Sequence, residues 1–381
     1  MQQPTTLQKE IDPGVVDLAV GHPEPDLLPL QMMREASRGA LADAAPEVLQ
    51  YTYEPGSGYF RRALADFLSR HYDTPVAADS LFIDTGVSQG LDLFCSYFTR
   101  PGDTVLVEDP TYFLALKIFK DYAVRVVSVP TGAEGVDTAA LEEIARRERP
   151  AFFYTIPVHQ NPSGFTQPAE RRREVVDCAE RYDFTVLADE VYHLLTYEGE
   201  VPKPYAAYLD SGQVVSLGSF SKIAAPGLRL GWFQASPAVL QRVCSAGLLD
   251  SGGSLNPFTA LVMQKALEDG SEQKHLEMLR SAYASRRDAM DAALRQEAGD
   301  LLEWDRPRGG YFFWLRLKQG DARALTESAR AHKVSFLPGT SFSPSGSFQK
   351  HLRLCFAHYP PERLTEGVKR LAAAIRTERS Q

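Results

Sequence analysis

Ser219-Phe220-Ser221-Lys222 places two hydroxyls just ahead of a lysine, and an arginine, Arg229, follows seven residues later. A lysine in a loop is ordinarily a solvated charge. Just past an apolar β-type run, at the strand end where open α/β sheets hold their ligands, the same set reads differently. Hydroxyls and a guanidinium suit a phosphate dianion, and an amine beside them suits an aldehyde. Asp189, in Ala188-Asp189-Glu190-Val191-Tyr192, also closes an apolar run; alone, it reads as a helix cap or turn former. Gln160-Asn161-Pro162-Ser163-Gly164 is a turn-forming string. Thr85-Gly86-Val87-Ser88-Gln89 links a strand to a helix, whose first amides could receive an anion close against Gly86. Arg353 lies inside the apolar run "HLRLCFA". A buried guanidinium is costly without an anion, so either a bound carboxylate or a structural salt bridge accounts for it.

Elements must bring these groups together. Seven short β-rich runs alternate with stretches of helical period between about residues 80 and 235: "LFID" at 81, "TVLVE" at 104, "AVRVVSV" at 123, "AFFYTI" at 151, "TVLAD" at 185, "QVVSL" at 213 and "LRLGWFQA" at 228. That alternation predicts a mostly parallel seven-stranded sheet with flanking helices, including helices over Ser88 to Phe98 and Pro168 to Tyr182. After Asn256-Pro257 one long charged helical pattern reaches Ala298, with only a loose apolar face at Leu267, His275, Leu279 and Ala282. "GGYFFWLRL", "VSFLPG" and "HLRLCFA" read as strands, and Pro361 to Arg376 reads as a final amphipathic helix. A large domain over residues 46–255 is therefore expected, with a smaller α+β domain from residues 1–45 and 256–381.

In their order and wording these motifs resemble the class I and II aminotransferases, fold type I of the pyridoxal-phosphate enzymes. The resemblance runs from Gly21 to Arg353. It implies pyridoxal 5'-phosphate bonded to Lys222, with its phosphate held by Gly86, Val87, Ser88, Ser219, Ser221 and Arg229. Val87 departs from the commoner "GSQQ" form, keeping the amide but losing a hydroxyl. Asp189 matches the aspartate that faces the pyridine nitrogen, where an anion keeps the ring a pyridinium able to take up electrons. Tyr192 and Asn161 match donors to the phenolic oxygen, and Tyr112 in "EDPTY" matches the ring stacked on the cofactor. Tyr53 matches the tyrosine that reaches the phosphate of a neighbouring subunit, which implies a homodimer. Gly21, in "GHPEPDLLP", belongs to the segment that closes over substrate, and Arg353 matches the clamp on the α-carboxylate. His159 receives no role. "SFSK…PGLRLGW" with "NPF" at Asn256 is most similar to the branch of 2-aminoadipate and aromatic aminotransferases and the effector domains of MocR-type regulators.

The resemblance implies transamination between an L-amino acid and a 2-oxo acid. It leaves open a lyase or synthase of the same fold, including one acting on S-adenosylmethionine, and a non-catalytic sensor. These 381 residues include no helix-turn-helix module, so an enzyme is expected ahead of a regulator. The remaining bounds come from composition. A net charge of −8 and a pI of about 5.6 disfavour nucleic acid and anionic membranes as partners. Cys95, Cys178, Cys244 and Cys355 show no metal-ligand spacing and suit a reducing compartment. No membrane-length apolar run and no secretory leader is evident, so a cytoplasmic location and no metal are expected.

Overall fold

A computed structural model describes residues 11–380 of the chain. Its largest sheet has eight strands. Across the sheet they lie in the order Leu81–Asp84, Gly231–Ala235, Val214–Ser219, Thr185–Asp189, Phe152–Thr155, Thr104–Asp109, Arg125–Gly132 and Gly135–Val136. Seven of these are the runs read from sequence; the eighth is a two-residue antiparallel return at the edge, too short to have a period of its own. Gly231–Ala235 runs antiparallel to both neighbours, and the pairings from Val214–Ser219 across to Arg125–Gly132 are parallel.

Side chains of successive strand residues point to opposite faces. Val107, Tyr154, Leu187, Val215 and Ala235 are aligned by register and join one buried cluster, whereas Leu106, Phe153, Val186 and Val214 join a second on the other side. Burial on both faces explains why these strands read as nearly continuous apolar runs. The polar exceptions gather at the carboxyl edge: Asp84, Asp109, Thr155, Asp189 and Ser219 each end a strand. Because Gly231 opens the reversed strand, its register sets it between Asp84 and Ser219.

The single helical pattern expected up to Ala298 is two helices, Pro257–Glu268 and Ser271–Ala298. Gly270 adopts φ +74° between them, a left-handed conformation that ends the first helix. Leu30–Leu41 and Gly58–Tyr72 pack on the first of these helices, while Ser271–Ala298 packs on the final helix, Pro361–Arg379. A four-stranded antiparallel sheet follows, in the order Leu302–Glu303, Phe312–Leu317, His351–Cys355 and Leu337–Pro338. "VSFLPG" is not one strand but two, because Val334–Ser335 leaves this sheet to pair in parallel with Val16–Asp17. The N-terminal segment is thereby stitched to the C-terminal part of the chain, and it brings Gly21 towards Arg353.

Candidate active site

Three segments meet in a cup at the carboxyl edge of the sheet. Gly86 caps the helix Val87–Phe98 with φ +104°, and its N–H donates to Asp84 Oδ1 at 2.7 Å. A Cβ placed on Gly86 would stand 3.5 Å from Arg229 Nη2 and 3.6 Å from Ser219 Oγ, so the bare glycine forms the floor between a cation and a hydroxyl. Ser219 Oγ also bonds Ser221 Oγ at 2.9 Å and receives the Ser221 N–H at 3.1 Å. Ser88 and Arg229 are exposed at the mouth and Val87 is buried beneath it. Helix amides, a guanidinium and two hydroxyls around a space that one methyl group would narrow fit a phosphate group.

Lys222 follows Phe220, a buried anchor tied by its N–H to Leu230 O at 3.1 Å. The Lys222 amine donates to Gly21 O at 3.3 Å and lies 5.3 Å from the centroid of the Tyr311 ring. Tyr311 in turn donates to the Lys222 carbonyl at 3.1 Å. Burial lowers the amine to about 8, with Arg353 acting in the same direction against Cys355 and Asp189. A neutral, nucleophilic lysine is thus accessible near neutral pH.

Asp189 is buried at the end of its strand, with Tyr154 donating to Oδ2 at 2.8 Å and the Val191 N–H reaching Oδ1 at 3.4 Å. Burial raises its carboxyl to about 6; the Tyr154 bond, the Val191 N–H and Lys222 oppose that rise. The next residue anchors the turn. Glu190 accepts from Ser216 Oγ at 2.6 Å and lies 3.6 Å from Arg172. Burial pushes Glu190 upwards, but His193, Arg172 and Ser216 outweigh it and hold the carboxyl below its usual range. Tyr192 is buried with its ring 5.5 Å from Tyr311 and 6.0 Å from Phe312. Tyr112 is half-buried, and its phenol, raised to about 12 by burial, lies within the fields of Asp189 and Arg353.

The fourth component is Arg353. It is 3% exposed, yet no carboxylate among the described residues is recorded in an ion pair with it, which removes the salt-bridge account of a buried arginine there. Nη1 donates to Asn161 Oδ1 at 2.8 Å and Nη2 to Ala19 O at 2.9 Å, while Nε is buried with no partner. Its guanidinium carbon stands 3.9 Å from the Phe312 ring centroid and 5.0 Å from that of Phe342. Burial lowers it to about 10, still protonated at neutral pH. The bond to Arg353 assigns the Asn161 amide its orientation and turns its NH2 away from the guanidinium. Gly21 has room for no more than a small group, since a Cβ would lie 3.3 Å from Phe312 and 3.9 Å from Arg353 Nη2.

The structure thus brings together the residues singled out by sequence, apart from Tyr53, which is 76% exposed. His159 is buried with φ +46°, bonded to Thr196 Oγ1 at 2.8 Å and lowered to about 3 by burial, as befits a structural group. Sequence reasoning missed Tyr154, Tyr311, Phe312, Phe342, Asp84 and Glu108. Glu108 is buried, raised to about 7 by burial, and takes bonds from Thr155, the Ile156 N–H and Gln160, so it braces the Asn161 loop. The available signal was a polar residue at or beside the end of a fully apolar strand. It marked Asp84 and Glu108 alike, while Tyr154 carries no such mark.

A mostly parallel sheet with an anion cup, a buried amine, a buried carboxyl and a buried arginine at its carboxyl edge is an arrangement able to hold a phosphorylated carbonyl compound. The chain belongs to the family Aminotransferase class I and II, whose model matches residues 13–371. It is 36% identical over 370 residues to aromatic-amino-acid aminotransferase 1 of Thermococcus litoralis, covering 96% of this chain and 88% of the relative. It superposes with a TM-score of 0.89 and 33% identity on the multiple substrate aminotransferase of Thermococcus profundus, over 97% and 93% of the two chains. The α-aminoadipate aminotransferase of Thermus thermophilus, solved with N-(5'-phosphopyridoxyl)-L-leucine, matches with a TM-score of 0.86 and 32% identity over 97% and 94%. The protein is therefore a fold type I aminotransferase, and its cofactor is pyridoxal 5'-phosphate. Of the outcomes left open by the motifs, transamination is the one these relatives are named for.

Proposed function

We propose that this aminotransferase takes L-amino acids with aromatic or long side chains, 2-aminoadipate among them, and passes the amino group to a 2-oxo acid. The observation that carries this reading is Arg353, a buried guanidinium with an unpartnered Nε between two aromatic rings. Such a group is suited to a single carboxylate, and the Phe312 and Phe342 rings against it give the site an aromatic wall. The three relatives described above are named for aromatic, multiple and α-aminoadipate substrates.

Each residue then has a task. Lys222 would bond the cofactor, and its amine would move a proton at Cα of the substrate. The Val87 and Ser88 amides, Ser219, Ser221 and Arg229 would hold the phosphate, with Gly86 as the floor of the cup. Asp189, with Tyr154 donating to it, would face the ring nitrogen; Tyr192 and the Asn161 NH2 would serve the phenolic oxygen, and Tyr112 would cover the ring. Bound pyridoxal phosphate supplies the electron sink that lets the Cα–H bond break. Arg353 turns the substrate so that this bond faces the Lys222 amine.

Mixing the cofactor-loaded protein with one amino acid and no acceptor should release one equivalent of 2-oxo acid per site. Adding 2-oxoglutarate or pyruvate should then permit a second. S-adenosylmethionine belongs on the same panel, and release of methylthioadenosine or ammonia instead of an oxo acid would sink the proposal. Arg353→Ala should raise KM for amino and oxo acids by about 10²-fold, because truncating a buried hydrogen-bonded charge costs about 2–5 kcal/mol. Unchanged KM would leave Arg353 with a packing role only.

The active unit we propose is a homodimer, placed in the cytoplasm, with residues 46–255 as the large domain and 1–45 with 256–381 as the small one. Leu49, Tyr51, Tyr53, Tyr59, Leu248 and Phe258 are 73, 82, 76, 70, 61 and 52% exposed, large side chains that a second subunit would cover. Tyr53 lies among them and would reach the phosphate of the second subunit. No helix among the described residues is long and apolar enough to cross a membrane. Sedimentation should give twice the chain mass, and Tyr53→Phe should release cofactor faster on dilution; a fully active monomer would remove both roles.

A further inference from the structure

Asp84 is absorbed by none of the roles above. It ends the first strand of the large sheet, fully buried, and its two oxygens behave differently. Oδ1 accepts the Gly86 N–H at 2.7 Å, and Oδ2 is buried with no partner. The neighbouring backbone leaves space for this carboxyl and for nothing more. A Cβ on Gly231 would come within 2.5 Å of Oδ1, and one on Gly90 within 2.9 Å of Oδ2. Both glycines belong to elements packed against Asp84, the reversed strand Gly231–Ala235 and the helix Val87–Phe98. The third such element, Val214–Ser219, presents Leu217 and carries no charged residue. Arg229 is the charged group among the described residues that acts on Asp84, and the same guanidinium borders Gly86.

We propose that Asp84 is a positioning residue of the phosphate cup, which pins Gly86 and takes up a proton from solvent when a phosphate group enters. The inference rests on the cup reading given above. Its physical basis is competition for one cation. Without phosphate, Arg229 offsets part of the cost of a buried carboxylate. A dianion arriving at Arg229 takes over that charge and adds a repulsive one, so the carboxylate protonates and the new hydroxyl lies within the protein. Burial already raises the carboxyl to about 7, opposed by the Gly86 N–H and by Arg229, so the proton is available at physiological pH. The pinned N–H of Gly86 is spent on Asp84, which leaves the following amides to the ligand.

Inorganic phosphate is the suitable probe, because it has neither an aldehyde to bond Lys222 nor a ring nitrogen to engage Asp189. Calorimetric titration of the cofactor-free full chain at about pH 8, in two buffers of different ionisation enthalpy, counts protons directly. Wild type should take up a substantial fraction of a proton per phosphate bound, and Asp84→Asn, which keeps an acceptor for the Gly86 N–H, should take up markedly less, its remaining uptake coming from Lys222, which titrates at about 8. The affinity of wild type relative to Asp84→Asn should fall about ten-fold between roughly pH 6.5 and pH 8.5, the linkage expected for a shift of about one pKa unit. Ionisation of phosphate itself works in the opposite direction. Zero uptake by wild type overturns the proposal whether or not the variant folds. Equal uptake by both proteins overturns the role of Asp84 alone, and failure of wild type to bind phosphate overturns the cup along with it.

Discussion

Lys222→Ala should yield a folded, colourless protein whose cofactor is no longer attached in a borohydride-reducible form and whose turnover falls by about 10³-fold or more. The magnitude follows from two lost tasks. A positioned general base contributes about 10²–10⁴-fold by itself, and covalent capture of the aldehyde is lost as well. Folding should survive because Tyr311 holds the backbone carbonyl of residue 222, not its amine, and Phe220 remains buried beside it. The vacated space lies over the Tyr311 ring and beside Gly21 O, so added methylamine or ethylamine should restore part of the proton transfer. A second measurement uses the wild type. With the amine lowered to about 8 by burial, the rate of reducible attachment should climb through about pH 8, well below the range of a solvated lysine. Reducible attachment persisting in Lys222→Ala, or a wild-type rate that climbs only above pH 10, would displace Lys222 from the centre of the site.

Much of this arrangement is legible in the chain because the sheet is buried on both faces. Strands such as Phe152–Thr155 and Val214–Ser219 have no solvent face to interrupt their apolar runs, so the polar residue at each strand end stands out. Lys222 stood out just past such a strand beside two hydroxyls and an arginine, and Arg353 as a charge inside an apolar run; Asp189 gained its role only from the family resemblance. What stayed hidden depends on register and chain reversal. Tyr154 looks like one more core aromatic until pairing sets it opposite Leu187, two residues from Asp189. Tyr311, Phe312 and Phe342 arrive from the other sheet, and no local pattern says which strand faces the lysine. The break at Gly270 was missed because the helical period resumes at once on its far side.

Asp189→Asn should leave the melting temperature within a few degrees and lower kcat by about 10²–10³-fold, the scale seen when one charge-stabilising group is removed from an active site. The substitution keeps shape and an acceptor for the Tyr154 hydroxyl while deleting the charge that holds a proton on the ring nitrogen. The effect should therefore lie in kcat more than in KM, since Arg353 still anchors the substrate carboxylate. A gentler variant tests the cause. Tyr154 donates to Asp189 Oδ2 at 2.8 Å, and this bond is the leading influence opposing the rise to about 6 that burial imposes. Tyr154→Phe removes it, so the carboxyl should hold its proton to higher pH and the acid limb of the kcat profile should move upwards. Activity at high pH should be largely retained, because there the carboxylate is ionised with or without its donor. An acid limb that stays in place in Tyr154→Phe, together with near-normal kcat in Asp189→Asn, would reduce Asp189 to the turn-forming role that its position at a strand end also allows.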